Sequence, residues 1–371
     1  MEYSCVRKMD LRMDQIEIKR NGDTVSRVVF APAVSGFAGI IRTLGRVFMV
    51  YDEAVERYAV EVKGHCPNVA GNFVLHNVSE ESKTVRTADN ICRWLLETGA
   101  DRNSSVLAVG GGIVSDMAGF AASIYKRGIR ASYLPTTLLA QVDAAIGGKT
   151  GVNLDSYKNI IGTFHQPEYT FVCPEVLESL PDRVFADGLA EMLKTFIIDN
   201  GIHGDRVERM MTAVSMQARC RMETEFSALV AEAASVKAGV VTRDELEGGE
   251  RRKLNLGHTF AHAIEHCANG TISHGEAVAI GLSMAAHLSE SLGIARSGTA
   301  ERIDGCLDTC GLPKKCPFPV AMLEDAMRKD KKSEDDKVHF ILVRDIGDVV
   351  ERLMDVSEAM DILAGHCGTE R

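Results

Sequence analysis

The sequence predicts a chain in two parts, a parallel α/β layer structure followed by a mainly α-helical region. Three observations predict it. Up to about Pro174, short apolar runs alternate with helical patterns. Beyond that point, stretches rich in Ala, Leu and Met, with little β-branched content, take over. The length of 371 residues, with 45% hydrophobic residues, suggests two domains with a sizeable buried core.

The elements follow in order. Val47–Val50, Phe73–Leu75 and Val106–Val109 are short apolar runs that end in polar residues or glycine, as buried parallel strands do. Between the last two, Lys83–Thr98 reads as a helix with Ile91, Trp94 and Leu95 on one face, and Trp94 is expected in the core. Ile113–Ala122 reads as a helix directly after Gly110-Gly111-Gly112. Two prolines, Pro174 and Pro181, flank a short helical turn, and the domain boundary is placed there, giving parts 1–174 and 175–371. Helices are expected over Ala186–Ile198, Ala228–Val241, Thr259–Cys267 and Glu276–Leu292, with Val338–Val343 as the one late strand.

Charge narrows the partners. A net charge of -10 and a pI near 5.6 oppose binding to nucleic acid and to anionic membranes. A small anionic substrate stays compatible, because a local cluster of Lys, Arg and His outweighs the global balance at short range. Met1–Arg20 lacks the apolar stretch of a signal peptide, and no apolar run is long enough to span a bilayer. The ten cysteines form no CxxC pair and read as reduced thiols of a cytoplasmic protein. Cys306, Cys310 and Cys316 lie closest together, but their spacing fits no common zinc module.

Several constellations carry chemistry. Gly110-Gly111-Gly112 between strand and helix lets the backbone approach a phosphate at a helix N-terminus, though it also fits a plain tight turn. Ser115 and the missing downstream acid depart from the G-x-G-x-x-G dinucleotide pattern. Gly147-Gly148-Lys149-Thr150-Gly151 offers Lys149 to an anion without the spacing of a P-loop, and Lys158-Asn159 follows. His258, His262 and His266 recur at helical spacing, with His274 opening the next helix. Spacing alone points to His258 and His262 as metal ligands, with a third from elsewhere. Glu191 and Lys194 share a helix face, as a surface ion pair would or as a site pair would. Asp330-Lys331-Lys332 is a small basic knot.

Taken in order, these segments resemble the 3-dehydroquinate synthases. The match is carried by Gly110-Gly111-Gly112-Ile113-x-x-Asp116-x-x-Gly119, by Leu134–Asp143 and by Gly147–Asn153. It continues through Lys158–Gly162, Leu189-Ala190-Glu191-x-x-Lys194, Leu254-Asn255-x-Gly257-His258-Thr259 and His274-Gly275-Glu276. It runs from about residue 47 to 345. Two departures are Ser79, where a glycine is usual before Glu80-x-x-Lys83, and Ala261, where a glycine is usual between the helix histidines.

The resemblance implies a Rossmann-like NAD-binding α/β domain and a mainly α-helical metal- and substrate-binding domain. It implies that Glu191, His258 and His274 hold zinc or cobalt, which turns His262 toward the substrate phosphate with Lys149, Asn159 and Lys331. Lys237, Arg251 and Asn255 would anchor the carboxylate and nearby hydroxyls, together with Asp143 and Lys194. Arg127 would reach a neighbouring subunit's site, which implies a homodimer. NAD would contact Asp52, Glu80, Lys83, Gly111, Gly112, Ile113, Asp116, Thr136, Thr137 and Lys158. The implied reaction converts a seven-carbon keto-sugar acid phosphate to a carbocycle. It proceeds by transient oxidation, phosphate elimination, re-reduction and intramolecular aldol closure. Rival readings are a related sugar-phosphate cyclase, a metal-dependent polyol dehydrogenase, and a catalytically silent NAD-binding module.

Overall fold

The computed structural model describes residues 15–155, 157–215, 224–330 and 337–368. The chain opens with an antiparallel hairpin of β1 (Gln15–Arg20) and β2 (Asp23–Phe30). Its turn is Asn21-Gly22, both at positive φ (53° and 91°), the backbone that matches strand twist in a two-residue hairpin. β3 (Val47–Asp52), β4 (Val69–Leu75), β5 (Ser105–Gly110) and β6 (Arg130–Pro135) follow. A separate antiparallel hairpin then pairs β7 (Lys149–Leu154) with β8 (Tyr157–Phe164), before β9 (Tyr169–Val172). The main sheet has the order β1-β2-β9-β6-β5-β3-β4 and is parallel from β2 onward.

Helices cover both faces of this sheet, so its strands are apolar on both sides. On β5, Val106 and Ala108 join one apolar cluster while Leu107 and Val109 join another. The first cluster packs under α3 (Val85–Glu97) and α4 (Gly112–Ile124). The second lies under α1 (Ala38–Ile41) and α2 (Glu56–His65) and continues without a break into the helical part. Trp94 is only half-buried and packs at the cluster's margin, edge-on to Phe48 at 5.7 Å between ring centroids.

The helical part begins after a 3₁₀ turn at Pro174–Ser179. It comprises α5 (Asp182–Ile198), α6 (Arg206–Ser215), α7 (Thr224–Arg243), α8 (His258–Ala268), α9 (His274–Ser291), α10 (Thr299–Thr309), α11 (Val320–Asp330) and α12 (Val356–Ile362). One expectation is corrected here. Val338–Val343 is not the one late strand: β10 (Lys337–Asp345) pairs antiparallel with β11 (Asp348–Asp355). The charges in β11 hid it, because Glu351 and Arg352 are exposed in mid-strand and interrupt the apolar pattern, while Val349 and Met354 are buried.

The fold collects functional groups at one edge. β3 ends at Asp52, β5 at Gly110 and β6 at Pro135, and the connections from β3 and β5 leave to opposite faces. Ligands of open parallel sheets bind at such a point, beyond the carboxyl ends of the strands. Beyond β6 the chain makes a π-helical turn at Ala140–Ala144, closed by the Ala145 N–H on the Ala140 carbonyl at 3.1 Å. Turns of this kind are frequent at functional sites, and this one carries Asp143.

Candidate active site

Three side chains far apart in the chain converge. Glu191 comes from the middle of α5, His258 opens α8 and His274 opens α9. Each offers one donor atom, and the three atoms lie within 4.8 Å of one another. Glu191 Oε1 is 3.4 Å from His258 Nε2 and 3.1 Å from His274 Nε2. The other imidazole nitrogens are engaged: His258 Nδ1 lies 3.2 Å from the Leu256 carbonyl and His274 Nδ1 lies 3.2 Å from Glu265 Oε1. Each ring is therefore oriented by its Nδ1 contact and turns Nε2 toward Glu191, the nitrogen a metal ion would take. One carboxylate and two imidazoles make an open catalytic metal set. His262 is not part of this group, so the pairing of His258 with His262 suggested by spacing is corrected. The cysteine trio forms no metal group among the described residues either. Burial instead pushes the Cys306 thiol up to about 11 and Cys310 up to about 12.

Close helix crossings build the triad. A Cβ on Gly275 would sit 2.2 Å from Asp187 Cα, and a Cβ on Gly281 would sit 2.2 Å from the Gly257 carbonyl oxygen. Glycine alone lets α9 touch α5 one turn before Glu191, and touch the start of α8 beside His258.

Next to the triad lies a buried ion network. Lys194 Nζ is 2.9 Å from Asp143 Oδ2 and 2.5 Å from Glu191 Oε2, and Lys237 pairs with Asp143 Oδ1. The Glu191–Lys194 pair is thus buried, not a surface pair. Burial would raise the Glu191 carboxyl, but Lys194 and His258 outweigh it and hold it well below the usual range. Burial likewise works against the Lys194 ammonium, yet Asp143 and Glu191 raise its pKa. Lys237 shifts down, burial outweighing the Asp143 charge, with Lys194 and Arg251 adding to the fall. Arg251 is fully buried and donates to the Gly147 carbonyl at 3.1 Å and to the Glu245 carbonyl. It thereby fixes the loop that leads into Lys149.

A cavity of about 540 Å³ opens beside His258 and is lined by Lys149, Asn255, His258, His262, Glu247 and Arg252, among others. Glu247 pairs with Lys149 and accepts from Asn255 Nδ2 at 3.0 Å. Sequence reasoning missed Glu247, which sits in a polar loop at φ 63° with no periodic signal around it. It also missed Glu265, although that residue lies two helical turns after His258 and so shares its face.

The sheet edge gathers the residues expected to contact a dinucleotide. Asp52 caps the next turn through Ala54 N at 3.0 Å, and burial raises its carboxyl. Gly111 caps α4, Gly112 and Ile113 start it, and Thr136 and Thr137 follow β6. Lys83 reaches Asp116 Oδ2 at 2.6 Å and also donates to Asn159 Oδ1. Glu80 accepts from Asn153 Nδ2 at 2.9 Å, and Lys158 donates to Glu265 at 2.8 Å. Asn159 itself adopts φ 55° in β8. Ser79 closes a capping box and Ala261 is buried inside α8, so both departures fit their positions. Arg127 is exposed in a tight turn with Lys126, both at positive φ. Lys331 lies outside the described residues. No helix among the described residues is long and apolar enough to cross a membrane.

Comparison with known proteins identifies the relatives of this chain. Residues 73–187 match the family model for the 3-dehydroquinate synthase N-terminal region, and residues 188–333 match the C-terminal one. A 3-dehydroquinate synthase of Acidithiobacillus ferrooxidans is 40% identical over 331 residues, covering 89% of this chain and 88% of the relative. Among solved structures, a 2-epi-5-epi-valiolone synthase from Streptomyces hygroscopicus with NAD+ and Zn2+ bound superposes with a TM-score of 0.82. It is 26% identical and covers 94% of this chain and 98% of its own. A 2-deoxy-scyllo-inosose synthase complexed with carbaglucose-6-phosphate, NAD+ and Co2+ shares the fold at a TM-score of 0.82 and 23% identity, covering 96% of this chain and all of its own. On the two matching family models and the 40% identity over most of its length, the chain belongs to the 3-dehydroquinate synthase family of enzymes.

Proposed function

We propose that this enzyme is a phosphate-eliminating carbon–oxygen lyase. It converts 3-deoxy-D-arabino-heptulosonate 7-phosphate to 3-dehydroquinate and inorganic phosphate, a step of aromatic biosynthesis. The observation that carries the reading is the Glu191, His258 and His274 triad, joined through Lys194 to Asp143 and Lys237, with His258 also lining the cavity that holds Lys149. When bound, a zinc or cobalt ion on the triad would polarise substrate hydroxyls, and NAD would accept and return a hydride.

The rest falls to the chain's own residues. Lys149 and His262 line one cavity and, with Asn159 and Lys331, are assigned to the substrate phosphate. Glu247 holds Lys149 in the present conformation, so the incoming anion has to displace that carboxylate. Lys194, Lys237, Arg251 and Asn255 are assigned to the substrate carboxylate and hydroxyls, with Asp143 balancing their charge. Lys194, Lys237 and Arg251, all buried, gather three cations around the carboxylates of Glu191 and Asp143, a local cluster that suits an anionic substrate in an otherwise acidic chain. Fixed ammonium groups of this kind orient the substrate and stabilise charge as phosphate departs.

Asp52, Glu80, Lys83, Gly111, Gly112, Ile113, Asp116, Thr136, Thr137 and Lys158 are assigned to NAD. Residues 1–174 would then form the cofactor domain and 175–371 the metal and substrate domain. The exposed Arg127 is assigned to a neighbouring subunit's site in a homodimer.

The test is incubation of the metal-loaded protein with the heptulosonate phosphate and NAD. Inorganic phosphate should be released, NAD should show no net reduction, and the product should have the mass of 3-dehydroquinate. Absence of phosphate release from protein shown to hold one cation per chain would end the proposal.

A further inference from the structure

Glu265 is buried in α8, with its side chain 7% exposed. None of the roles assigned above uses it. A buried carboxylate is retained only where it is paired. Both partners of Glu265 belong to the site. Its Oε1 lies 3.2 Å from His274 Nδ1, and the same oxygen accepts from Lys158 Nζ at 2.8 Å.

The two histidines of the triad are therefore backed differently. His258 Nδ1 meets a neutral carbonyl, that of Leu256. His274 Nδ1 meets a full charge. A carboxylate behind an imidazole fixes the ring's orientation and tautomer and makes the inward nitrogen a stronger donor. Lys158 adds a second link. It lies on β8, one residue from Asn159, which is itself tied to Lys83. Hairpin β7–β8 also begins at Lys149. One carboxylate oxygen thus joins the metal triad to the hairpin that carries Lys149 and Asn159.

We propose that Glu265 is a positioning residue that aims His274 at the cation and ties the β7–β8 hairpin to the metal centre. The inference rests on the metal reading of the triad.

Glu265→Gln keeps the shape of the side chain and removes its charge, and Lys158→Met cuts the second link. Each purified full-length variant would be titrated with Co2+ in competition with a chromophoric chelator, and the visible cobalt bands recorded. Glu265→Gln should bind Co2+ roughly 10- to 100-fold more weakly, with shifted bands, while its thermal melt shows a folded protein. Lys158→Met should weaken Co2+ by a smaller factor in the same direction. Wild-type affinity and unchanged bands in Glu265→Gln would overturn the proposal while leaving the triad intact. A wild-type protein that binds no more Co2+ than His274→Ala would overturn the metal reading itself, and this inference with it.

Discussion

Asp116 shows how a single side chain here is set by competing forces. It is 2.6 Å from the Lys83 ammonium, yet burial pushes its carboxyl up to about 6 although the Lys83 charge pulls the other way. The folded pKa therefore lies above the unfolded value. Between about pH 4 and pH 6 the folded chain holds a proton at Asp116 that the unfolded chain has released. The associated stability is fully present below the unfolded pKa and is lost as pH rises through about 6. From pH 5 to pH 7 this one group should cost about 1 kcal/mol. Urea unfolding of Asp116→Asn should lack that decline, and a wild-type slope in the mutant would refute the assignment. Little of this was legible in the sequence. The motif around Gly110-Gly111-Gly112 located Asp116, but burial, partner and charge state come from Lys83, thirty-three residues earlier. The same holds for Glu191, which local spacing could not tell from a surface ion pair.

At the level of elements, the metal triad exists because three helices approach more closely than side chains normally permit. Helix periodicity located α5, α8 and α9 in the sequence, but periodicity does not say which helix ends will touch. That information sits in Gly275 and Gly281, which read in isolation as weak points of a helix. Gly275→Ala should force α9 off α5 at Asp187, destabilising the fold by roughly 1–3 kcal/mol and weakening divalent-metal binding. Gly305→Ala is the control, because that exposed glycine in α10 has nothing within 4 Å of an added Cβ. It should stabilise the chain by about 0.5–1 kcal/mol with metal affinity unchanged. Thermal melts and metal titration of the pair check both signs. Equal effects from the two substitutions would mean that the close crossing does not build the site. Turn chemistry was available and overlooked at Asn21-Gly22, which marks the first hairpin. β11 was hidden for the opposite reason, the exposed Glu351 and Arg352 breaking its apolar pattern in mid-strand.

For the molecule as a whole, the site is divided between the two halves of the chain. Asp143, Lys149 and the sheet-edge residues precede the Pro174 turn, while Glu191, Lys194, His258, His262 and His274 follow it. The alternation of strands and helices made the first half legible, and the Ala-, Leu- and Met-rich runs made the second. Their joint assembly was legible only through the ordered motifs of the family, because no local pattern encodes the convergence of residues 143, 191, 258 and 274. The division predicts separable ligand effects. A ligand that binds only the folded state stabilises it by about 2.7 kcal/mol at a hundredfold excess over Kd. Zinc and NAD should therefore each raise the melting temperature of the wild-type chain. His258→Ala should abolish the zinc increment and keep the NAD increment, because the sheet-edge residues assigned to NAD lie outside the triad. The helix should tolerate the change, since His258 is partly exposed and opens α8. Calorimetric melts with each ligand alone decide the matter. A zinc increment that persists in His258→Ala would place the cation elsewhere, and loss of the NAD increment would show that the two sites fold as one.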